Sequence, residues 1–275
     1  MFRKTILLLF IAVAGLAFSA EPPFVINAGK IPNMRDLGGW KGLNGRTVKT
    51  GQIFRSAGLN GNPKSKKTVD ANGVTNTVKI AAEVRVDDKN RALLVDTLGI
   101  RTDIDLRANW ECAGMTGSPL GEKVEWVHVP IGGYHLATIN EKKGEDPKKS
   151  AHHRIFKVIM DPAKRPVDFH CIAGRDRTGT IAMLTLALLG VSETDIVRDF
   201  LTTASCAKKD LWESRIRKPM TTLRRRFKSE SLAESTALYF EHIGFTRAEI
   251  DAFREQMLAP AATTDTDERP AEDGR

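Results

Sequence analysis

The chain has 275 residues, 41% of them hydrophobic and 28% charged, with a formal net charge of +8. This composition is globular, and it excludes a disordered or collagen-like chain. The length suffices for one large domain or two small ones. Three cysteines exclude a dense disulfide scaffold. No Cys-x-x-Cys pair and no His-Glu-x-x-His motif occurs, which argues against a Cys-rich zinc site or a zincin.

Residues 1–20 read as a secretory signal peptide. Arg3 and Lys4 form a basic start, Ile6 to Phe18 is an unbroken apolar run, and small residues follow at Ala17, Ser19 and Ala20. The run is shorter than the ~18 residues a membrane span requires. The competing reading is an uncleaved N-terminal anchor. The expected location is therefore exported, periplasmic or secreted, with no stable membrane span once the leader is removed. Residues 260–275 carry almost nothing to bury and read as a disordered acidic tail. The body, 21–259, is basic, which favours anionic ligands without choosing among phosphates, nucleic acid and membrane.

Within the body, Phe24–Asn27, Asp36–Gly39, Arg46–Lys49 and Gln52–Arg55 read as strand and turn. Residues 61–86 read as polar and irregular, a candidate insertion, with Asn-Gly turn signals at 60–61 and 72–73. Asp87–Leu98 has helical spacing and is ended by Gly99. Ile100–Leu106, Val124–Ile131 and Pro166–His170 read as strands, with a helix over Ser150–Met160 between the last two. From Asp176 onward the pattern is helical. Thr180–Leu189 is apolar nearly all round and should be buried. Ser192 with Asp195 resembles a cap before Ile196–Thr203, and Leu232–Ile243 and Thr246–Leu258 are amphipathic. The expectation is an α/β fold with a mostly parallel central sheet flanked by helices and a helical C-terminal half.

The informative stretch runs from Val167 to Gly179. A strand ends in His170-Cys171, a loop of Ile172, Ala173, Gly174, Arg175 and Asp176 follows, and Arg177-Thr178-Gly179 opens the buried helix. Backbone N–H groups of such a loop converge into an anion nest. The helix N-terminus adds free N–H groups and its dipole. Gly174 permits a turn that a side chain would obstruct, and Arg177 presents a fork matched to two phosphate oxygens. A cysteine beneath such a cradle should carry a pKa of ~3.5–7.5 and be a thiolate at neutral pH.

This stretch fits the Cys-x5-Arg-[Ser/Thr] signature and resembles the bacterial branch of the protein-tyrosine-phosphatase superfamily, with its His-Cys-x-Ala-Gly-[Lys/Arg]-Asp-Arg-Thr-Gly loop. Asn33-Met34-Arg35-Asp36-Leu37-Gly38-Gly39, Phe54-Arg55-Ser56, and Leu98-Gly99-Ile100-Arg101 through Asp105-Leu106-Arg107 resemble further segments of that branch, in order. The resemblance implies a tyrosine-phosphatase-like fold and a Cys-dependent phosphomonoesterase that needs no metal and no cofactor.

By that resemblance Cys171 is the nucleophile, forming a phosphocysteine. Arg177 binds phosphate and stabilises the transition state. Thr178 donates to the sulfur. His170 either supports the loop or is a satisfied core histidine. Asp176 is the favoured general acid, with a helix cap as its bland alternative, and Asp146 in Gly-Glu-Asp-Pro is a weaker candidate for the acid. Arg175 either reaches a second anionic group of the substrate or is a solvated charge. Asp105 and Arg107 either brace the loop, line the mouth of the site or pair structurally, and Asn33, Arg35 and Asp36 are scaffold near the site. From cysteine number alone, Cys112 and Cys206 are candidates for a disulfide that would spare Cys171, and the competing outcome is a disulfide of Cys171 with either of them.

Phosphotyrosine protein is the leading substrate class. Basic clusters at Lys142–Lys143, Lys148–Arg154, Arg215–Lys218 and Arg224–Lys228 keep phosphoinositides and inositol polyphosphates open, while nucleic acid is disfavoured because no RNA-binding signature is present. A rhodanese-type sulfurtransferase and a phosphate-binding pseudophosphatase are the remaining alternatives.

Overall fold

The computed structural model describes residues 21–61, 64–80, 84–131, 146–203, 206 and 208–260. The leader and nearly all of the tail therefore lie outside the described residues, as do Lys142 and Lys143.

Eight strands form two sheets. Strands β1 (Phe24–Val25), β2 (Arg35–Asp36), β3 (Ile53–Ser56), β6 (Thr102–Asp105), β7 (Glu125–His128) and β8 (Val167–His170) make a six-stranded sheet in the order β1-β2-β3-β8-β6-β7. The pairings of β3 with β8, β8 with β6 and β6 with β7 are parallel, while β1–β2 and β2–β3 are antiparallel. The sheet is thus mixed, and its parallel part is the central one. Strand β8 lies between β3 and β6, so the residue following it emerges at the middle of the sheet's carboxyl edge, where α/β folds gather ligands.

The expected strands are present but shorter. Arg46–Lys49 forms only isolated bridges, through Thr47 and Val48. Within the stretch read as irregular, β4 (Lys64–Val69) and β5 (Thr75–Ile80) pair as an antiparallel hairpin in a separate two-stranded sheet. The Asp70 carboxylate receives the amides of Asn72 and Val74 in its turn. Asp87–Leu98 is a single α-helical turn, α1 (Asp88–Arg91), running into π-helical turns over Ala92–Thr97 and stopped by Gly99 at φ +70°.

Helices α2 (Ala151–Met160), α3 (Asp176–Leu188), α4 (Glu193–Leu201), α6 (Leu232–His242) and α7 (Arg247–Met257) fall where periodicity places them. Ser150, Ser192, Ser231 and Thr246 cap α2, α4, α6 and α7, each side chain accepting a backbone N–H three residues on. Helix α3 is buried along its whole length, as its all-round apolarity requires.

The longest helix, α5 (Lys209–Phe227), was not singled out by the sequence pattern. Trp212, Ile216, Met220, Leu223 and Phe227 form its inward stripe, set in a dense background of Arg and Lys. The larger core packs α3 and the other C-terminal helices against Ile53, Ile104, Val167 and Phe169 on one face of the sheet, and a smaller cluster including Ile26, Met34, Phe54 and Leu94 covers the other.

Candidate active site

Cys171 follows β8 directly and is buried. The next four residues turn back so that α3 starts at Asp176. Gly174 makes that turn possible. Its φ is +65°, and a Cβ there would lie 2.6 Å from the Ser56 carbonyl oxygen and 2.7 Å from the Ala57 nitrogen, both backbone atoms of the β3 end. Burial alone would push the Cys171 thiol up. Thr178, the Arg177 charge and the Gly174 amide outweigh it and hold the thiol below its ordinary pKa. Thr178 stands beside Cys171 in the first turn of α3.

Arg177 is buried rather than a surface charge. Its fork engages Glu111 through two bonds, of 2.5 and 2.9 Å. Glu111 also accepts the Ala108 amide at 2.7 Å. Burial opposes ionisation of Glu111, yet Arg177 and that amide hold its carboxyl below the usual range. Glu111 thus fixes the direction of the Arg177 guanidinium, a role sequence reasoning missed. The two residues are 66 positions apart.

The loop's carbonyls are held from the β2–β3 side. Asn33 Nδ2 donates to the Ala173 oxygen at 2.8 Å, and Arg55 donates to the Gly174 oxygen at 2.9 Å. Arg55 and Arg35 share one buried carboxylate, Asp199 of α4, at 2.5 and 2.7 Å. Burial and the neighbouring Arg35 lower the Arg55 pKa to about 10. Asp36 ties the Asp-Leu-Gly-Gly turn by accepting the amides of Gly38 and Gly51. These residues are scaffold, as the resemblance implies. Asp199 itself was missed, although a lone carboxylate beside Ile196 and Phe200 on the apolar face of a helix signals a buried cationic partner.

Beneath the loop, one face of the parallel strands carries Asp168 and His170 of β8 against Asp103 and Asp105 of β6. His170 Nε2 lies 2.9 Å from Asp103, and Nδ1 lies 3.3 Å from the carbonyl oxygen of Cys171. Burial opposes its protonation, but Asp105 and Asp103 raise its pKa to about 9. The His170 ring thus sits against the Cys171 backbone, beside two carboxylates that favour its protonated form. Asp105 pairs with Arg107 at 2.6 Å, both fully buried, so these two brace the sheet edge and do not line the mouth. Asp168 accepts from Ser56 at 2.7 Å, and burial raises its pKa to about 7.

Asp176 is the first residue of α3 and makes no side-chain cap; the N-cap is Arg175, which also caps nothing with its side chain. Arg175 bonds the Asp176 carboxylate at 3.0 Å. Asp146 is exposed and accepts the Lys148 amide at 3.0 Å; among the described residues nothing joins it to the loop. The proposed disulfide does not form: Cys112, Cys171 and Cys206 are all free thiols. Cys112 lies 3.2 Å from His128 Nε2, and burial pushes its thiol up to about 11.

Some members of the basic clusters are engaged by neighbouring side chains. His152 is buried against the Tyr239 hydroxyl, Arg217 pairs with Glu213, and Arg224 pairs with Glu193. Among the described residues no group of His, Cys, Asp and Glu could hold a metal ion, and no helix is long and apolar enough to cross a membrane.

A buried cysteine at the middle of the sheet's carboxyl edge, followed by a five-residue loop and an arginine oriented by Glu111, forms a Cys-x5-Arg turn at the start of α3. A sequence model described as the tyrosine phosphatase family matches residues 26–80 and 80–259, and the chain belongs to that family. It is 29% identical over 191 residues to a putative tyrosine-protein phosphatase of Cupriavidus necator, covering 62% of this chain and 60% of the relative. It is 24% identical over 172 residues to the triple specificity protein phosphatase PtpB of Mycobacterium tuberculosis, covering 56% and 61%. The chain thus spans about three-fifths of the length of these curated relatives. Among solved structures, the core catalytic domain of the PP-IP phosphatase SIW14 from S. cerevisiae superimposes with a TM-score of 0.37 at 16% identity, over 60% of this chain and 78% of that one.

Proposed function

We propose that the protein is an exported phosphomonoesterase that acts through a phosphocysteine intermediate, with phosphotyrosine in protein as its leading substrate. The observation that carries the reading is the Cys171 thiol, held below its ordinary pKa at the N-terminus of α3 by Thr178, Arg177 and the Gly174 amide. Membership of the tyrosine phosphatase family supports the substrate class, and the composition of residues 1–20 supports export.

In this reading the Cys171 thiolate attacks phosphorus in line. The S–P bond forms as the bond to the leaving oxygen breaks, and Asp176 gives that oxygen a proton. Water then attacks the phosphocysteine, Asp176 takes back a proton, and phosphate leaves as the thiolate is restored. Arg177 and the loop amides neutralise the equatorial oxygens, and Glu111 keeps the Arg177 fork aimed without reorganisation. Thr178 stabilises the sulfur as it departs.

The test is phosphate release by purified 21–275 from phosphotyrosine peptide, phosphoserine peptide, phosphoinositides and inositol hexakisphosphate in parallel, with a thiosulfate arm for sulfur transfer. Cys171→Ser should keep phosphate binding, because amides and Arg177 remain, and lose turnover. Turnover within about tenfold of the parent, with no trapped phosphocysteine in either, rules out Cys171 as nucleophile. Preference for the inositol phosphates would replace the phosphotyrosine reading. Phosphate binding without release from any phosphomonoester would establish the pseudophosphatase.

A further inference from the structure

The Asp176 carboxylate has a single side-chain donor among the described residues. Arg175 reaches it through Nη2 at 3.0 Å and Nε at 3.3 Å. An arginine is a poor anchor by itself, because its long side chain has many rotamers to lose. Arg175 is also partly exposed, on the outer side of the loop. What limits it is a residue far along the chain. The Trp212 ring on α5 lies 3.7 Å from the Arg175 guanidinium carbon. The same ring carries a second guanidinium, that of Arg215, at 4.5 Å. A planar guanidinium against an indole gains both cation–π attraction and stacking, with Trp the strongest aromatic partner. Trp212 is itself fixed, since α5 packs its inward stripe on the core.

A chain of contacts therefore runs from the core through Trp212 to Arg175 and on to Asp176. Resting on the reading of Asp176 as general acid, we propose that Trp212 is a positioning residue for proton delivery. It holds Arg175, and Arg175 sets the direction of the carboxylate that must reach the leaving oxygen. Small displacements of an acid cost rate steeply, and they cost most when the leaving oxygen is basic and needs its proton. The charged partners of the Trp212 ring are Arg175 and Arg215, so in this proposal Trp212 acts on proton delivery and not on substrate binding or thiolate attack.

The test uses the full chain and two substrates, phenyl phosphate with a basic leaving group and 4-nitrophenyl phosphate with an acidic one. Trp212→Ala should lower kcat for phenyl phosphate about tenfold, with KM changed less than about twofold, and should lower kcat for 4-nitrophenyl phosphate by less than about threefold. Trp212→Phe, which keeps a π-face, should recover most of the loss. In an Arg175→Gln background, Trp212→Ala should add nothing, because its route is already cut. Equal losses on the two substrates, or an undiminished additional loss in the Arg175→Gln background, would overturn the proposal.

If Trp212→Ala does not fold, Trp212→Leu replaces it, keeping apolar contact and removing the π-face. A leaving-group-dependent loss then supports the inference, and parent-like kinetics refute it. Asp176→Asn separates this inference from the reading beneath it. Leaving-group dependence in Asp176→Asn without any in the Trp212 variants sinks the role of Trp212 alone. Its absence in Asp176→Asn sinks the acid assignment and the inference together.

Discussion

Asp199→Asn is the substitution that should separate the scaffold of the site from its chemistry. Asp199 is buried on α4 and carries two buried guanidinium groups, Arg35 at 2.7 Å and Arg55 at 2.5 Å. The amide of Asn removes the negative charge with almost no change in volume and leaves two cations uncompensated. Breaking a buried pair from one side costs about 3–5 kcal/mol. For a domain of this size, ~1 kcal/mol corresponds to a shift in Tm of about 2–4 °C, so the midpoint should fall by about 6–20 °C.

The loss should also reach the site, because Arg55 is the donor to the Gly174 oxygen. A phosphate loop freed at Gly174 should bind inorganic phosphate more weakly, with KM rising more than kcat falls. The effect has a pH signature. Burial opposes ionisation of Asp199, but Arg35 and Arg55 hold its carboxyl below the ordinary range. A depressed folded pKa contributes stability that is present above the unfolded value and lost as pH falls through the folded one. The gap between parent and Asp199→Asn should therefore narrow in acid. Thermal unfolding at neutral and acid pH, with phosphate titrations at 25 °C, measures all three effects. A stability loss under about 1 kcal/mol at neutral pH would refute the account of a charge-balanced triad.

Asp176→Asn should cost much more rate on phenyl phosphate than on 4-nitrophenyl phosphate, whereas Asp146→Asn should change neither; the reverse pattern would transfer the acid role to Asp146. Gly174→Ala places a methyl group 2.6 Å from the Ser56 carbonyl oxygen at a φ of +65°, so it should lose most phosphate affinity, and near-parent binding by calorimetry would show that the loop yields. His170, with its pKa raised from 6.5 to about 9, contributes stability that is full below pH ~6.5 and lost as pH rises through about 9. Urea midpoints should fall over that window in the parent and stay flatter in His170→Asn, and parallel slopes would contradict the buried imidazolium.

The parts of the site legible in the sequence are contiguous ones. Cys171, Gly174, Asp176, Arg177 and Thr178 lie on one strand-to-helix turn, and local geometry alone brings them together. What escaped reading depends on pairing across the chain. Glu111 meets Arg177 over 66 positions, and Asp199 meets Arg35 over 164. Of these, only Asp199 left a trace, as a carboxylate on an apolar helix face.

Two elements misled for opposite reasons. The 64–80 segment is rich in Lys, Thr, Ser and Asn, with only Val78 and Ile80 alternating in its second strand, so it resembles irregular chain; its Asn72-Gly73 turn was the available signal. Helix α5 has its apolar stripe at helical spacing, but the surrounding Arg and Lys drew attention to charge instead. The Cys112–Cys206 bridge rested on cysteine number alone, and number does not bring two thiols together.

The charges around the loop form a pattern that bears on how it handles a dianion. Arg177, Arg175 and His170 face Glu111, Asp176 and Asp103 respectively, and Arg55 shares Asp199 with Arg35. With these cations already facing carboxylates, much of the pull on an incoming phosphate comes from backbone N–H groups of the loop and the α3 terminus, where Asp176 is the acidic residue of the first turn. Such donors are fixed by the fold and need no solvent or side chain to reorganise as charge develops, the condition under which electrostatic stabilisation is greatest. The carboxylates then serve to aim the arginines rather than to hold phosphate. The loop's conformation, set by Gly174, Asn33 and Arg55, is accordingly as much a part of the chemistry as the cysteine it surrounds.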